Sequence, residues 1–221
     1  MKTKIFTFLF ALIASIGTLF AESGTCGTNL TWDFTDGVLT ISGTGKMHNY
    51  NRSQLPWSGL QITSVIINSG VTTIGNRAFV NCSGMASVTI SNSVTSIGMS
   101  AFFNCTSLTS IEIPNSVTSI ESYAFDSCTG LKSITCLAVT PPTMGEGVFY
   151  ELDCSTINLM VPAESVEDYK NADQWKDFFT GTALDRIAGD APRMNHKCLR
   201  NGRLLILRGD KTYTLTGQEV K

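Results

Sequence analysis

Side chains able to do chemistry are sparse in this chain. Of its seven cysteines, Cys82, Cys105 and Cys128 fall 23 residues apart. A zinc site pairs its ligands two to four residues apart, so this interval belongs to a structural period rather than to a metal. The two histidines, His48 and His196, lie far apart in the chain among loop-forming neighbours and read as solvated imidazoles. No H-E-x-x-H, G-x-S-x-G or C-x-x-C occurs. Gly43, Gly45 and Lys46 sketch a phosphate loop, but Met47 stands where a magnesium-binding hydroxyl belongs and Thr40 where the first glycine belongs. A catalyst needs a nucleophile or metal with a positioned partner. None is assembled by spacing here, so the expectation is a non-catalytic chain with no cofactor and no metal.

The elements that hold these cysteines repeat. Over 221 residues, 43% are hydrophobic and 15% charged, against about 25% charged in an average domain. The surface must therefore be covered by uncharged polar groups, and 22 serines and 27 threonines supply them. A net charge of -2 without a basic cluster argues against nucleic acid as a partner. The period of the cysteines is shared by Val71, Val94 and Val117, by Ile74, Ile97 and Ile120, by Ala78, Ala101 and Ala124, and by Phe79, Phe102 and Phe125. One unit reads LTSIEIPNSVTSIESYAFDSCTG, from Leu108 to Gly130. Ile111 and Ile113 alternate with Ser110 and Glu112, the period of a half-buried strand. Pro114, Asn115 and Ser116 mark a turn, Val117 and Ile120 return to the same core, and Ala124 to Cys128 suits a short helical turn. A unit of 23 residues cannot bury that apolar face alone, so units must stack.

The phrase IPNSVTSI, then AF, then C resembles the leucine-rich repeat of BspA-like bacterial surface proteins. The segment Cys26 to Trp57, with CGTNLTWDF and GVLTISGTGKM, is similar to their N-terminal cap. The expected fold is a leucine-rich repeat solenoid, mainly β with short helical turns, closed by a β-hairpin N-cap and a helical C-cap. The expected divisions are a signal peptide at 1–21, the N-cap at 22–60, repeats at 61–136, the C-cap at 137–180, a linker at 181–195 and a β-hairpin tail at 196–221. Asp36-Gly37 is the hairpin turn of the N-cap. Pro162 opens a helix carrying Val166, Tyr169, Ala172, Trp175 and Phe179 as a core-packing stripe. The phrase DKTYTLTGQ resembles the end of the sorting domains of type IX secretion substrates, which are several times longer.

Lys2 and Lys4 before the apolar run Ile5 to Phe20 have the layout of a cleaved signal, with no later segment able to span a membrane. The expected location is secreted, on a bacterial outer surface. In that setting Cys136 and Cys154, flanking Pro141 and Pro142, are the expected disulfide pair, and the three periodic cysteines are expected to stay reduced. Arg208, Gly209 and Asp210 spell a tripeptide that integrins read, although a hairpin turn wants Gly and Asp on its own account. The expected binding face is the outward side of the strands, namely Ser64, Ile66, Ser87, Thr89, Ser110, Glu112, Ser133 and Thr135. Such a patch covers on the order of 300 Å², less than the roughly 800 Å² per partner of a stable protein interface. The family resemblance implies adhesion to host matrix protein, to other bacteria or to glycan. The alternative is a structural subunit of a self-assembling surface layer.

Overall fold

The computed structural model describes residues 22–51 and 54–180, and the backbone of 196–200, 203–208, 211–214 and 219–220. The expected signal peptide, the expected linker and the Gly209-Asp210 turn lie outside the described residues.

The chain begins as an antiparallel sheet and continues as a parallel one. Strands β1 (Glu22–Gly27), β2 (Leu30–Thr35) and β3 (Val38–Gly43) pair antiparallel. Asp36 and Gly37 both have positive φ, at 51° and 82°, which gives a two-residue turn whose twist matches the strands it joins. β3 then pairs in parallel with β5 (Ser64–Ile67), Val38 opposite Ser64 and Ile41 opposite Ile67. The hairpin thereby supplies the first rung of the solenoid, and its outer strand covers an edge that would otherwise template aggregation.

Each coil has three sides. The first carries β5, β7 (Ser87–Ile90), β9 (Ser110–Ile113), β11 (Ser133–Cys136) and β13 (Asn158–Met160). The second carries the short strands β4 (Gly45–Lys46), β6 (Val71–Ile74), β8 (Ser96–Ile97), β10 (Ser119–Ile120) and β12 (Thr143–Met144), joined in one parallel sheet. The third has no strand. There the expected short helical turn takes the form of consecutive i to i+3 turns, and alternate amides donate to the next coil: Phe79 N–H to Ala101 at 2.8 Å, Phe102 to Ala124 at 2.8 Å and Phe125 to Val148 at 2.9 Å. That pattern needs left-handed residues on either side of each phenylalanine, and Arg77, Asn81, Ser100, Asn104, Tyr123 and Ser127 all have φ between 53° and 61°.

Phe79, Phe102 and Phe125 stack one above another inside the coils, with centroids 5.3 Å apart and planes within 19°. Trp57 extends the column at one end and Phe149 at the other. The ladders therefore run past Cys136, where the sequence reading ends the repeats. Ile120 faces Met144 and Ile134 faces Leu159, so the loops carrying Pro141 and Pro142 and residues 150–157 absorb extra residues without disturbing the stack. The cap that follows is α1 (Val166–Asn171) and a 3-10 segment, Trp175–Phe179. A single helix through this stripe is not formed. Ala172 turns extended and Gln174 takes φ of 59°. Tyr169, Trp175, Phe178 and Phe179 are nonetheless buried in the core.

Side chains close the third ladder at both ends. The Trp57 indole donates to the Ala78 carbonyl at 2.9 Å, and Gln174 accepts from the Val148 amide at 2.8 Å while donating to the Gly145 carbonyl. These bonds satisfy backbone groups left without a neighbouring coil. Beyond the cap, the backbones of β14 (His196–Arg200), β15 (Arg203–Arg208), β16 (Lys211–Thr214) and β17 (Glu219–Val220) pair antiparallel in a four-stranded sheet of their own.

Candidate functional site

The expected outward residues line up in two columns. Ser64 faces Ser87 and Ile66 faces Thr89; Ser110 faces Ser133 and Glu112 faces Thr135. The Ser87 hydroxyl donates to that of Ser64 at 3.0 Å. The eight do not form one sheet. β7 ends the sheet that begins at β1, and β9 begins another with β11 and β13. Ser87, Thr89, Ser110 and Glu112, at this seam, are the exposed members, whereas Ser64, Ile66, Ser133 and Thr135 are half-buried. Two further rungs extend the columns beyond the sequence expectation: Val38 and Thr40 of β3 at one end, Asn158 and Met160 of β13 at the other. Six rungs give a face on the order of 450 Å². Glu112 is the single charged side chain among the twelve positions. The last rung escapes a fixed-period reading because two extra residues separate it from its counterpart.

Many hydroxyls elsewhere are structural. Ser93 and Ser116 each donate at 2.7 Å to a carbonyl of the preceding coil, at Val71 and Val94. Thr95, Thr118 and Thr143 donate in the same way to Thr72, Thr95 and Thr118. The wealth of serine and threonine is thus partly the material that ties coil to coil.

The six cysteines whose side chains are described are free thiols. The bridge expected between Cys136 and Cys154 is not formed. Cys136 instead faces the core, where its sulfur accepts from the Tyr169 hydroxyl at 3.1 Å. The periodic thiols donate to the coil before, Cys105 to the Phe79 carbonyl at 3.2 Å and Cys128 to that of Phe102 at 3.0 Å. Burial pushes the Cys82 thiol up to about 12 and those of Cys26 and Cys154 up to about 11. Cys105 is raised further, by its hydrogen bond with Cys128 and then by burial. Such thiols carry almost no thiolate at neutral pH and are poor nucleophiles. His48 is exposed, and the side chain of His196 lies outside the described residues. Among the described residues no group of three His, Cys, Asp or Glu side chains could hold a metal ion, and no helix is long and apolar enough to cross a membrane.

A groove of about 550 Å³ lies on the third side, lined by Asn51, Arg77, Val80, Ser100, Phe103, Tyr123 and Asp126. Nothing in the repeat pattern singles it out. Its signal in the sequence is a departure from the pattern, because Asp126 occupies the register position held by Val80 and Phe103 in the two preceding coils.

The family model of the BspA-type leucine-rich repeat region matches residues 57–174 in six copies. No curated protein sequence matches the chain. Among solved structures, a leucine-rich repeat protein from Eubacterium ventriosum ATCC 27560 is similar at 27% identity and a TM-score of 0.51, over 66% of this chain and 45% of that one. A leucine-rich repeat protein from Bacteroides ovatus ATCC 8483 is 25% identical with a TM-score of 0.41, over 60% and 39% of the two chains. The chain spans less than half the length of either.

Proposed function

The chain belongs to the BspA-type leucine-rich repeat family, and on that premise we propose that it is a non-catalytic binding module held outside the cell, adhering to an extracellular protein or glycan through the outward face of its repeats. The observation that carries this reading is the regular array on the first side. Ser87, Thr89, Ser110 and Glu112 are exposed and spaced by the coil. Their hydroxyls are not all spent on tying coils together, unlike those of Ser93 and Ser116 on the turns.

The size of the face sets the kind of binding. An area on the order of 450 Å² suits an extended or small ligand. Weak single contacts gain strength when many copies share a surface. Leucine-rich repeat modules are typically interaction modules, and BspA-like members are typically surface-associated; both points support the reading. Secretion through the Lys2 to Ala21 segment is part of the same proposal.

The test is a binding screen of the purified protein against immobilised matrix proteins and glycans, repeated with Ser87→Lys, Ser110→Lys and Ser133→Lys. Binding by the parent protein and at least a tenfold loss in the triple variant is the expected result. Undiminished binding by a folded triple variant would move the ligand off this face. The second reading, a self-assembling surface subunit, draws on β13, which among the described residues ends its sheet with one side unpaired. Sedimentation separates the two, since assembly gives polymers that grow with concentration and adhesion gives a monomer that binds.

A further inference from the structure

Asp126 breaks the pattern of the coils around it. The equivalent positions are Val80, Phe103 and Tyr150, so the stack itself asks for an apolar or aromatic side chain there. Asp126 is only 7% exposed. Burying a carboxylate is unfavourable unless it is paired. One of its oxygens accepts the Ser127 hydroxyl at 2.7 Å, and among the described residues no lysine or arginine pairs with it. What remains of its surface opens into the groove of the third side.

The neighbours supply the rest of a polar site. The groove crosses three coils, with Arg77, Ser100 and Tyr123 in one column and Val80, Phe103 and Asp126 in the next. One rung is about 4.8 Å, so the backbones of Arg77 and Asp126 lie two coils apart along the groove. Arg77 likewise has no carboxylate partner among the described residues. The Tyr123 hydroxyl is pushed up by its hydrogen bond to Glu146, then by partial burial and by the charges of Glu146 and Asp126, which keeps it a proton donor.

We propose that this groove is a saccharide-binding site, separate from the outward face, in which Asp126 and Arg77 take the hydroxyls of a pyranose and the Tyr123 ring lies against its C–H face. The inference rests on the binding-module reading and adds a second surface with a named ligand class. Carboxylate and guanidinium are planar groups that form paired hydrogen bonds, and vicinal hydroxyls present pairs of donors and acceptors to meet them. An aromatic ring adds apolar contact with one polar end. A peptide that binds by adding a strand is excluded here, because the amides of Phe79, Phe102 and Phe125 on this side are already given to the next coil.

The probes are tetrasaccharides of glucose, N-acetylglucosamine and mannose, titrated calorimetrically into the full chain. At least one should bind, and Asp126→Asn and Tyr123→Asn should each weaken it tenfold or more. Asparagine is chosen at position 123 because it tolerates the φ of 60° found there. Asp126→Phe, which restores the residue of the preceding coil, should abolish binding while keeping or raising the melting temperature; a carboxylate needed for folding would give a lower one. Glu164→Gln, exposed in the C-cap and part of neither surface, should leave saccharide binding unchanged. The proposal is overturned if none of the probes binds, if the folded groove variants bind like the parent, or if Asp126→Phe unfolds the chain. If saccharide binding is lost in Ser110→Lys and kept in the groove variants, the groove assignment fails while the outward-face reading stands.

Discussion

At the scale of single residues, this molecule uses polar atoms mainly to join its coils. The periodic cysteines show it most clearly. Each is small enough for an inward corner, and Cys105 and Cys128 add a weak hydrogen bond to a carbonyl of the coil before, at Phe79 and Phe102, that already accepts an amide of its own coil. The cysteine spacing was legible as structural, because no metal ligand set has that interval. The fate of Cys136 was not, because flanking a Pro-rich loop says nothing about which way a thiol faces. Tyr169, 33 residues later, settles it by reaching Cys136 and the Ala138 carbonyl with one hydroxyl. Raised thiol pKa values carry a pH consequence. A group whose pKa is higher folded than unfolded stabilises the fold fully below the unfolded value, and that contribution is lost as the pH climbs through the folded one. With the thiols moving from 9.0 to about 11 or 12, and Tyr50 and Tyr169 raised in the same direction by burial, melting temperature should hold steady up to about pH 9 and fall steeply beyond it. Thermal melts by circular dichroism between pH 7 and 11 check this; a rising or level trend above pH 9 would contradict the burial of these groups.

At the scale of elements, the three ladders differ in how much of them the sequence discloses. The first is announced by alternation, as in Ile111 and Ile113 against Ser110 and Glu112. The third is largely hidden, because one of its two columns of left-handed residues differs in type at each coil: Arg77, Ser100 and Tyr123 share a conformation and nothing else, and only Asn81 and Asn104 of the other column repeat. Its end was hidden too. The aromatic spacing from Tyr169 to Phe179 suggests a continuous helix, but the last coil leaves the Val148 amide and Gly145 carbonyl open, and Gln174 can answer both only if the chain turns at that point. Gln174→Ala should therefore cost about 1–3 kcal/mol, the penalty of leaving buried backbone groups unpaired. Urea denaturation measures it. A change within a few tenths of a kcal/mol would mean that water replaces Gln174 at no loss.

At the scale of the whole molecule, stability is carried by a column of rings running from Trp57 to Phe149 and roofed by Trp175 and Phe178. Each ring closes the coil before and the coil after, so no coil is stable alone. Phe102 sits at the middle and is fully buried. Phe102→Ala should cost about 3–5 kcal/mol and lower the melting temperature of the repeats as one transition, whereas the same change on a mere surface ring would be nearly silent. The binding surfaces are less legible than the stack, because a repeat pattern reports what every coil shares, and recognition resides in what one coil does differently, as at Asp126. All of this depends on the coils being piled in register at one rung per 23 residues. Ser64 and Ser87 are direct partners across neighbouring strands, within the Cα separation a disulfide spans, while Ser64 and Ser110 lie two rungs apart, about 10 Å and outside it. Oxidative trapping of Ser64→Cys with Ser87→Cys should give a complete intramolecular crosslink, and Ser64→Cys with Ser110→Cys should give none. Failure of the first pair, or equal crosslinking by both, would show that successive coils are not stacked as adjacent rungs.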